Sequence, residues 1–180
     1  PPKNSIFIDD HDIRNVPLKT LRASVAYVPQ DNFLFSSSIK ENIAFDPNPY
    51  KDEQVFHAAR QAHVYKDIMD LPDKFDTELG ERGLSLSGGQ RQRVSIARAL
   101  IKPSPIIIFD DSLSAVDSKT ETNILNTLRT QMKSRTSIII SHRISTIQEA
   151  DQIIVLDKGE IVERGTHQSL LKQDGIYKKM

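Results

Sequence analysis

The sequence predicts an α/β fold with a parallel sheet at its core, a mostly helical insertion and an N-terminal antiparallel β portion. Short runs of β-branched residues, apolar on both faces, are typical of buried parallel strands. Such runs occupy residues 106–109, 137–140 and 153–156. Between the first two runs, Ile124, Leu125 and Leu128 recur at helical spacing. Strand, helix and strand in this order indicate a βαβ crossover.

The N-terminal part indicates two strands separated by a turn and a short helix. Ile6 and Ile8 flank Phe7 in a first strand, and the polar residues 9–12 are predicted to form a turn. Pro17 is predicted to stand at the first position of a helix, where its missing N–H has no cost. A second strand at 25–28 ends before Pro29.

The segment from 39 to 100 has helical periodicity, with apolar residues sharing faces at 39–44 and 55–62 and a Pro-containing loop at 46–49. Residues 157–160 are predicted to form a hairpin turn before a further strand at 161–162. We therefore divide the chain into a β portion at 1–35, a helical subdomain at 36–100 and a C-terminal part at 101–180.

Composition excludes several classes of function. The chain has 180 residues, with 24 basic and 24 acidic side chains, so its net charge of zero does not indicate a nucleic-acid partner. It has no cysteine, which excludes disulfides and thiolate chemistry. No apolar run approaches the ~18 residues that span a bilayer, and the N-terminus has no signal-peptide pattern. We expect any membrane contact to come from other segments or other chains.

A glycine-rich helix start is predicted at Ser87, Gly88, Gly89 and Gln90. Ser followed three residues later by Gln has the spacing of a capping box. The glycines lack Cβ atoms, so a ligand can approach the free N–H groups of the first turn, where the helix dipole favours an anion. An ordinary helix cap at a loop is the alternative interpretation.

Two carboxylates and a histidine follow predicted strands. Asp110 and Asp111 end one strand, where an α/β sheet binds ligands and where a carboxylate can hold Mg²⁺ against a phosphate. A solvated acidic loop is the alternative interpretation of this pair. His142 follows the next strand and could bond a γ-phosphate or polarise a water molecule. The other histidines, His11, His57, His63 and His167, are predicted to be surface residues.

Together these residues resemble the nucleotide-binding domain of an ABC transporter of the exporter type, over essentially the whole chain. The matching motifs are the Q-loop glutamine Gln30, the X-loop at 77–83, the signature at 86–90, the Walker B strand at 106–110, the D-loop at 114–117 and the switch histidine His142.

The resemblance implies a head-to-tail dimer of two such domains around two ATP molecules, each ATP lying between one protomer's Walker motifs and the other's signature. It implies ATP contacts for Ser87, Gly88, Gly89, Gln90, Gln30, Ser114 and Asp117. It assigns Mg²⁺ to Asp110 and Gln30, and catalysis to Asp111 and His142. It further implies transmembrane domains as partners, contacted through the Q-loop and Thr77 to Gly83, and a place on the cytoplasmic face of the cell membrane.

The sequence departs from the family pattern at two points. First, none of its seven glycines precedes Lys-Ser or Lys-Thr, so the lysine-bearing phosphate loop of Walker A and its helix are missing. We therefore expect an incomplete sheet, a fragment of a longer protein, and no useful ATP binding or hydrolysis by the fragment alone.

Second, Asp111 stands where most members of the family have glutamate as catalytic base. One methylene fewer withdraws the carboxylate by ~1 Å, and a misplacement of ~1 Å can cost ~100-fold in rate. This substitution resembles the weak-site half of a heterodimeric exporter.

Two other classes of protein remain as alternatives. A DNA-maintenance ATPase head also carries a signature motif, but the chain has neither heptad arrays nor excess basic charge. A non-catalytic nucleotide-sensing or dimerisation module is favoured by the missing lysine loop and by Asp111.

Overall fold

The computed structural model describes residues 1–46, 49–80, 86–113, 116, 118–132 and 134–180. The chain divides into two compact units, Pro1–Ile138 and Ile139–Met180. The strands are β1 (Phe7–Ile8), β2 (His11–Asp12), β3 (Val25–Val28), β4 (Ile106–Asp110), β5 (Thr136–Ile140), β6 (Ile153–Asp157) and β7 (Glu160–Gly165). The α-helices are α1 (Leu18–Ser24), α2 (Ile39–Ile43), α3 (Asp52–Gln61), α4 (Tyr65–Met69), α5 (Gly88–Leu100), α6 (Ser118–Met132), α7 (Ile144–Ile147), α8 (His167–Leu171) and α9 (Ile176–Lys179). Short 3₁₀ helices lie at Ile13–Asn15 and Lys74–Asp76.

The N-terminal hairpin is tighter than the sequence predicted. β1 pairs antiparallel with β2, so His11 and Asp12 are strand residues and the predicted four-residue turn is wrong. Asp9 adopts a φ of 50°, a left-handed conformation that aspartate tolerates, and this closes the chain within two residues. Pro17 precedes α1 as its N-cap instead of starting the helix.

The main sheet has the order β3-β4-β5, and β3 runs parallel to β4 with Val25 level with Ile106 and Val28 level with Phe109. Its buried face carries Ala26, Val28, Ile107 and Phe109, each at most 2% exposed. Tyr27 of β3 is 52% exposed, and Ile138 and Ile140 of β5 are 46% and 47% exposed. The α/β class is confirmed, but the prediction that the run at 137–140 is buried on both faces is wrong.

The third predicted parallel strand is also wrong. β6 pairs antiparallel with β7 in a separate sheet of two strands, and Leu156 is 68% exposed. Lys158 and Gly159 both have positive φ, which suits the two-residue turn of a tight hairpin, so β6 pairs with the strand that directly follows it. The hairpin turn itself was predicted.

The helices of the first unit support one central helix. α5 packs against α2, α3 and β3, and it buries Val94, Ile96, Ala97 and Leu100. The apolar periodicity that predicted helices between residues 39 and 100 is therefore confirmed. The packing of this buried face against α2, α3 and β3 fixes the direction of α5. The first turn of α5 carries the glycines.

The second unit has a small core of its own. Ile153, Val155, Leu170 and Tyr177 are buried together, and residues of α7 pack against them. The Nδ1 atom of His167 lies 2.8 Å from the Tyr177 hydroxyl, and this histidine is half-buried. The expectation that His167 is a surface residue is therefore wrong.

Candidate nucleotide site

The first turn of α5 is held by its own side chains. The Ser87 hydroxyl accepts a bond from the Gln90 N–H at 3.2 Å, and the Gln90 side-chain oxygen accepts one from the Ser87 N–H at 2.9 Å. The predicted capping box is confirmed. These two bonds hold the signature residues in one conformation before any ligand arrives.

Gly88, in the first turn of α5, borders open space. A Cβ atom added at Gly88 would meet no heavy atom within 4 Å. The N–H groups of Gly88 and Gly89 belong to the first turn, which has no intrahelical acceptors, and no described residue accepts from them. α5 has 13 residues, and its dipole places partial positive charge at this N-terminal turn. The turn therefore fits an anion such as a phosphate.

Asp110 lies at the carboxyl end of β4 and is half-buried. Its Oδ2 atom accepts a hydrogen bond from the Tyr27 hydroxyl at 2.8 Å. This bond, together with burial, raises the pKa of Tyr27 above its usual value. Sequence reasoning missed Tyr27, although strand alternation places it on the same face as Asp110, with Tyr27 level with Ile108.

Gln30 and Asp111 follow the carboxyl ends of the paired strands β3 and β4. β3 and β4 are parallel, so Gln30, which follows β3, emerges at the same sheet edge as Asp110. Asp111 has a φ of 41°, which turns the chain at the end of β4. The described residues contain no group of three or more His, Cys, Asp or Glu that could hold a metal. Mg²⁺ needs no such group, because it takes one or two carboxylates together with waters and phosphate oxygens.

The remaining predicted site residues lie in the second unit or outside the described residues. His142 is exposed, two residues beyond β5, and belongs to the second unit. Ser114, Asp117 and residues 81–83 of the X-loop lie outside the described residues. The first part of that loop pairs with the segment before α2: the Ile39 N–H donates to the Thr77 carbonyl at 3.1 Å, and the Leu79 N–H to the Ser37 carbonyl at 3.0 Å.

Arg98 of α5 was not singled out from the sequence, yet it joins three parts of the first unit. Its guanidinium donates to the Asn42 carbonyl at 2.6 Å, to the Asn42 side-chain oxygen at 2.8 Å and to the Phe33 carbonyl at 3.0 Å. It also lies over the rings of Phe35 and Phe45. Burial lowers the pKa of Arg98 to about 10, so the group remains charged near neutral pH.

A glycine-rich helix start and an acidic strand end together fit a nucleotide-binding domain. A family described as "ABC transporter" matches residues 1–114, and the chain belongs to this family. It is 47% identical, over all of its length, to the ATM1-type heavy metal exporter of Novosphingobium aromaticivorans. It is also 46% identical over 98% of its length to ABC transporter B family member 24, mitochondrial, of Arabidopsis thaliana.

A solved structure of a bacterial Atm1-family ABC exporter with ATP bound matches 96% of the chain with a TM-score of 0.93 and 47% identity. The chain spans 26% of the Arabidopsis relative, 30% of the Novosphingobium relative and 30% of the solved chain. It is thus similar to the nucleotide-binding part of exporters. Among the described residues, the helices are too short or too polar to cross a membrane.

Proposed function

We propose that the protein containing this chain is an exporter that couples ATP binding and hydrolysis to transport of a substrate across a membrane. Two domains of this kind close head to tail around two ATP molecules. The observation that carries the proposal is the first turn of α5, where Gly88 leaves room for a phosphate beside N–H groups that have no acceptor among the described residues. The match to an Atm1-family exporter with ATP bound supports the same reading.

The signature residues serve the ATP that the partner domain holds. Ser87, Gly88 and Gly89 bond its γ-phosphate through their backbone and hydroxyl donors, and Gln90 keeps the turn in place through the capping box. Ser114 and Asp117 complete the contacts across the dimer. Donors fixed in advance stabilise the charge that develops on the phosphate at no cost of rearrangement during reaction.

On its own side the chain holds the metal and the attacking water. Asp110 and Gln30, at the common edge of β3 and β4, bind Mg²⁺, and the exposed His142 bonds the γ-phosphate. Mg²⁺ held by these residues would supply positive charge beside the phosphates. Asp111 accepts the proton of the water and holds it at its carboxylate.

The sharpest test of this function is Gly88→Ala in the full exporter. The new methyl group enters open space in this structure and improves helix propensity, so the melting temperature stays equal or rises. A phosphate that approaches the backbone would meet the methyl group, so ATP turnover falls by about 10-fold or more. Unchanged turnover with a folded protein would show that no phosphate comes close to Gly88.

The second proposal concerns the rate at this chain's own site. Asp111 is one methylene shorter than glutamate, so this site binds ATP but hydrolyses it slowly, as in one half of a heterodimer. Asp111→Glu in the full exporter raises turnover at this site, by up to ~100-fold if a ~1 Å misplacement limits the rate. If turnover at this site does not change, the missing methylene is not limiting.

The chain of 180 residues does not hydrolyse ATP by itself, because it contains no Gly-Lys-Ser or Gly-Lys-Thr loop to hold the β-phosphate. Radiolabelled ATP binding to the chain, with and without the upstream segment of its full protein, tests this. Binding of equal affinity in both samples would contradict the proposal.

The Q-loop and residues 77–83 contact transmembrane domains, which places the domain at the cytoplasmic face of a membrane. A non-catalytic nucleotide sensor is a second candidate, favoured by Asp111. Sustained ATP turnover by the full exporter, lost in the Gly88→Ala variant, decides between the two.

A further inference from the structure

Asp67 of α4 lies at the centre of a polar network beneath the first turns of α5. Its Oδ2 atom accepts from Arg93 Nη1 at 2.8 Å, and its Oδ1 atom accepts from Arg93 Nη2 at 3.1 Å. Oδ1 also accepts from the side-chain nitrogen of Gln90 at 3.1 Å. One carboxylate therefore holds two of the long polar side chains that follow the glycines of α5, Gln90 and Arg93.

Each of these two side chains in turn holds a backbone group of the glycine-rich turn. Gln90 accepts the Ser87 N–H at 2.9 Å, and the Nε atom of Arg93 donates to the Gly89 carbonyl at 3.2 Å. The Arg93 guanidinium also donates to the His63 carbonyl, just before α4. The position of the turn is thus tied to α4 through two separate connections that meet at Asp67.

The network is partly shielded from water, which increases its effect. The side chains of Arg93 and Asp67 are 15% and 29% exposed, whereas the Arg60–Glu53 pair of the same unit is 48% and 77% exposed. Burial raises the pKa of Asp67, but the bonds from Arg93 and Gln90 and the charge of Arg93 outweigh it, so the pKa lies below its usual value. A bidentate pair between guanidinium and carboxylate also fixes direction as well as distance.

We propose that Asp67 is a positioning residue for the signature turn: through Gln90 and Arg93 it sets where the donors of Ser87, Gly88 and Gly89 point. It touches no reacting atom itself. This inference rests on the proposed function, since it assumes that the turn acts on the ATP held by the partner domain. Misplacement of such donors by ~1 Å can lower the rate by ~100-fold.

The test uses the full exporter with Asp67→Asn in this chain and Glu53→Gln as a matched control that also removes one paired carboxylate. We expect Asp67→Asn to lower kcat/KM for ATP by between ~10-fold and ~100-fold. Photolabelling of this chain's own site by azido-ATP stays unchanged, because Asp67 lies on the signature side. Glu53→Gln leaves both quantities within about twofold, as expected for an exposed pair.

Two further variants separate positioning from loss of fold. Asp67→Glu keeps the charge but displaces the side chains of Gln90 and Arg93. We therefore expect it to lower kcat/KM for ATP without lowering the melting temperature. If Asp67→Asn fails to fold, Asp67→Glu provides the test. Asp67→Asn combined with Arg93→Met is no worse than the more severe single variant, because both act through one network.

Three results would overturn the proposal: unchanged kcat/KM in both Asp67 variants, an equal loss in Glu53→Gln, or a loss that follows the melting temperature alone. Failure of the proposed function looks different. In that case the unaltered exporter does not turn over ATP, or Gly88→Ala has no effect on it, whatever the Asp67 variants do.

Discussion

Arg98→Met tests whether the Arg98 bonds hold the segment after Gln30 to α5. The change removes three charged hydrogen bonds, two to Asn42 and one to Phe33. The Asn42 side-chain oxygen keeps a donor, the Phe35 N–H at 2.8 Å, and Phe33 is exposed, so its carbonyl can bond water. The Asn42 carbonyl is left as the one buried acceptor that loses its donor among these groups.

The magnitude follows from these losses. One orphaned buried acceptor costs about 1–3 kcal/mol, and lost contact with two aromatic rings adds about 0.5–1 kcal/mol. Relief from burying a cation offsets part of this, and methionine refills much of the space. We therefore expect Arg98→Met to lower the free energy of unfolding by about 2 kcal/mol.

The assay is thermal unfolding together with amide hydrogen exchange in the full protein. The Phe35 and Ala44 amides should exchange faster in Arg98→Met, because the Asn42 bonds that order this segment are weakened. Arg60→Met is the matched control, since it removes an exposed pair worth about 0–1 kcal/mol. Equal melting temperatures and equal exchange in both variants would refute the reasoning.

Three further predictions concern other parts of the chain. Ser38→Ala removes the capping box of α2 and should cost about 1 kcal/mol in the free energy of unfolding, measured by denaturant titration. Glu163→Ala removes the acceptor of the Tyr177 N–H at the start of α9, so exchange at that amide should rise; unchanged protection would contradict this. The pKa of Asp67 is lowered in the fold, so the stabilisation from its pair with Arg93 is complete above about pH 5 and is lost as pH falls through the lowered pKa. In Asp67→Asn, the free energy of unfolding should therefore depend less on pH on the acid side.

Local patterns in the sequence predicted the parts of the site that depend on nearest neighbours. The capping box between Ser87 and Gln90 needs only three residues of spacing, and the strand before Asp110 needs only a short continuous run of β-branched and aromatic residues. Both predictions are confirmed because the determining contacts lie within one turn or one strand. The roles assigned to these residues remain predictions.

Contacts between distant segments were not predictable from periodicity. Tyr27 and Asp110 are 83 residues apart in the chain, Arg98 and Phe33 are 65 apart, and Arg93 and Asp67 are 26 apart. Each pair forms only after the sheet and the helices have packed. A single sequence shows these residues as ordinary polar or aromatic side chains.

The strand β6 illustrates how a correct element can be placed in the wrong sheet. Its run of β-branched residues suits a buried parallel strand, and the strand exists, but the turn at Lys158 and Gly159 pairs it with β7. The hydrophobicity of a strand does not determine which other strand it pairs with. The short hairpin connection decides it, because the following strand is already adjacent.

The Arg98 bond to the Phe33 carbonyl has a mechanical consequence for Gln30. Gln30 lies between two fixed points, the end of β3 at Val28 and the carbonyl of Phe33 held by α5. The three residues from Gln30 to Phe33 extend over at most about 10 Å. The position of Gln30 is therefore restricted relative to α5. A larger displacement of Gln30 must move the helix that carries the glycines or break the Arg98 bond to the Phe33 carbonyl.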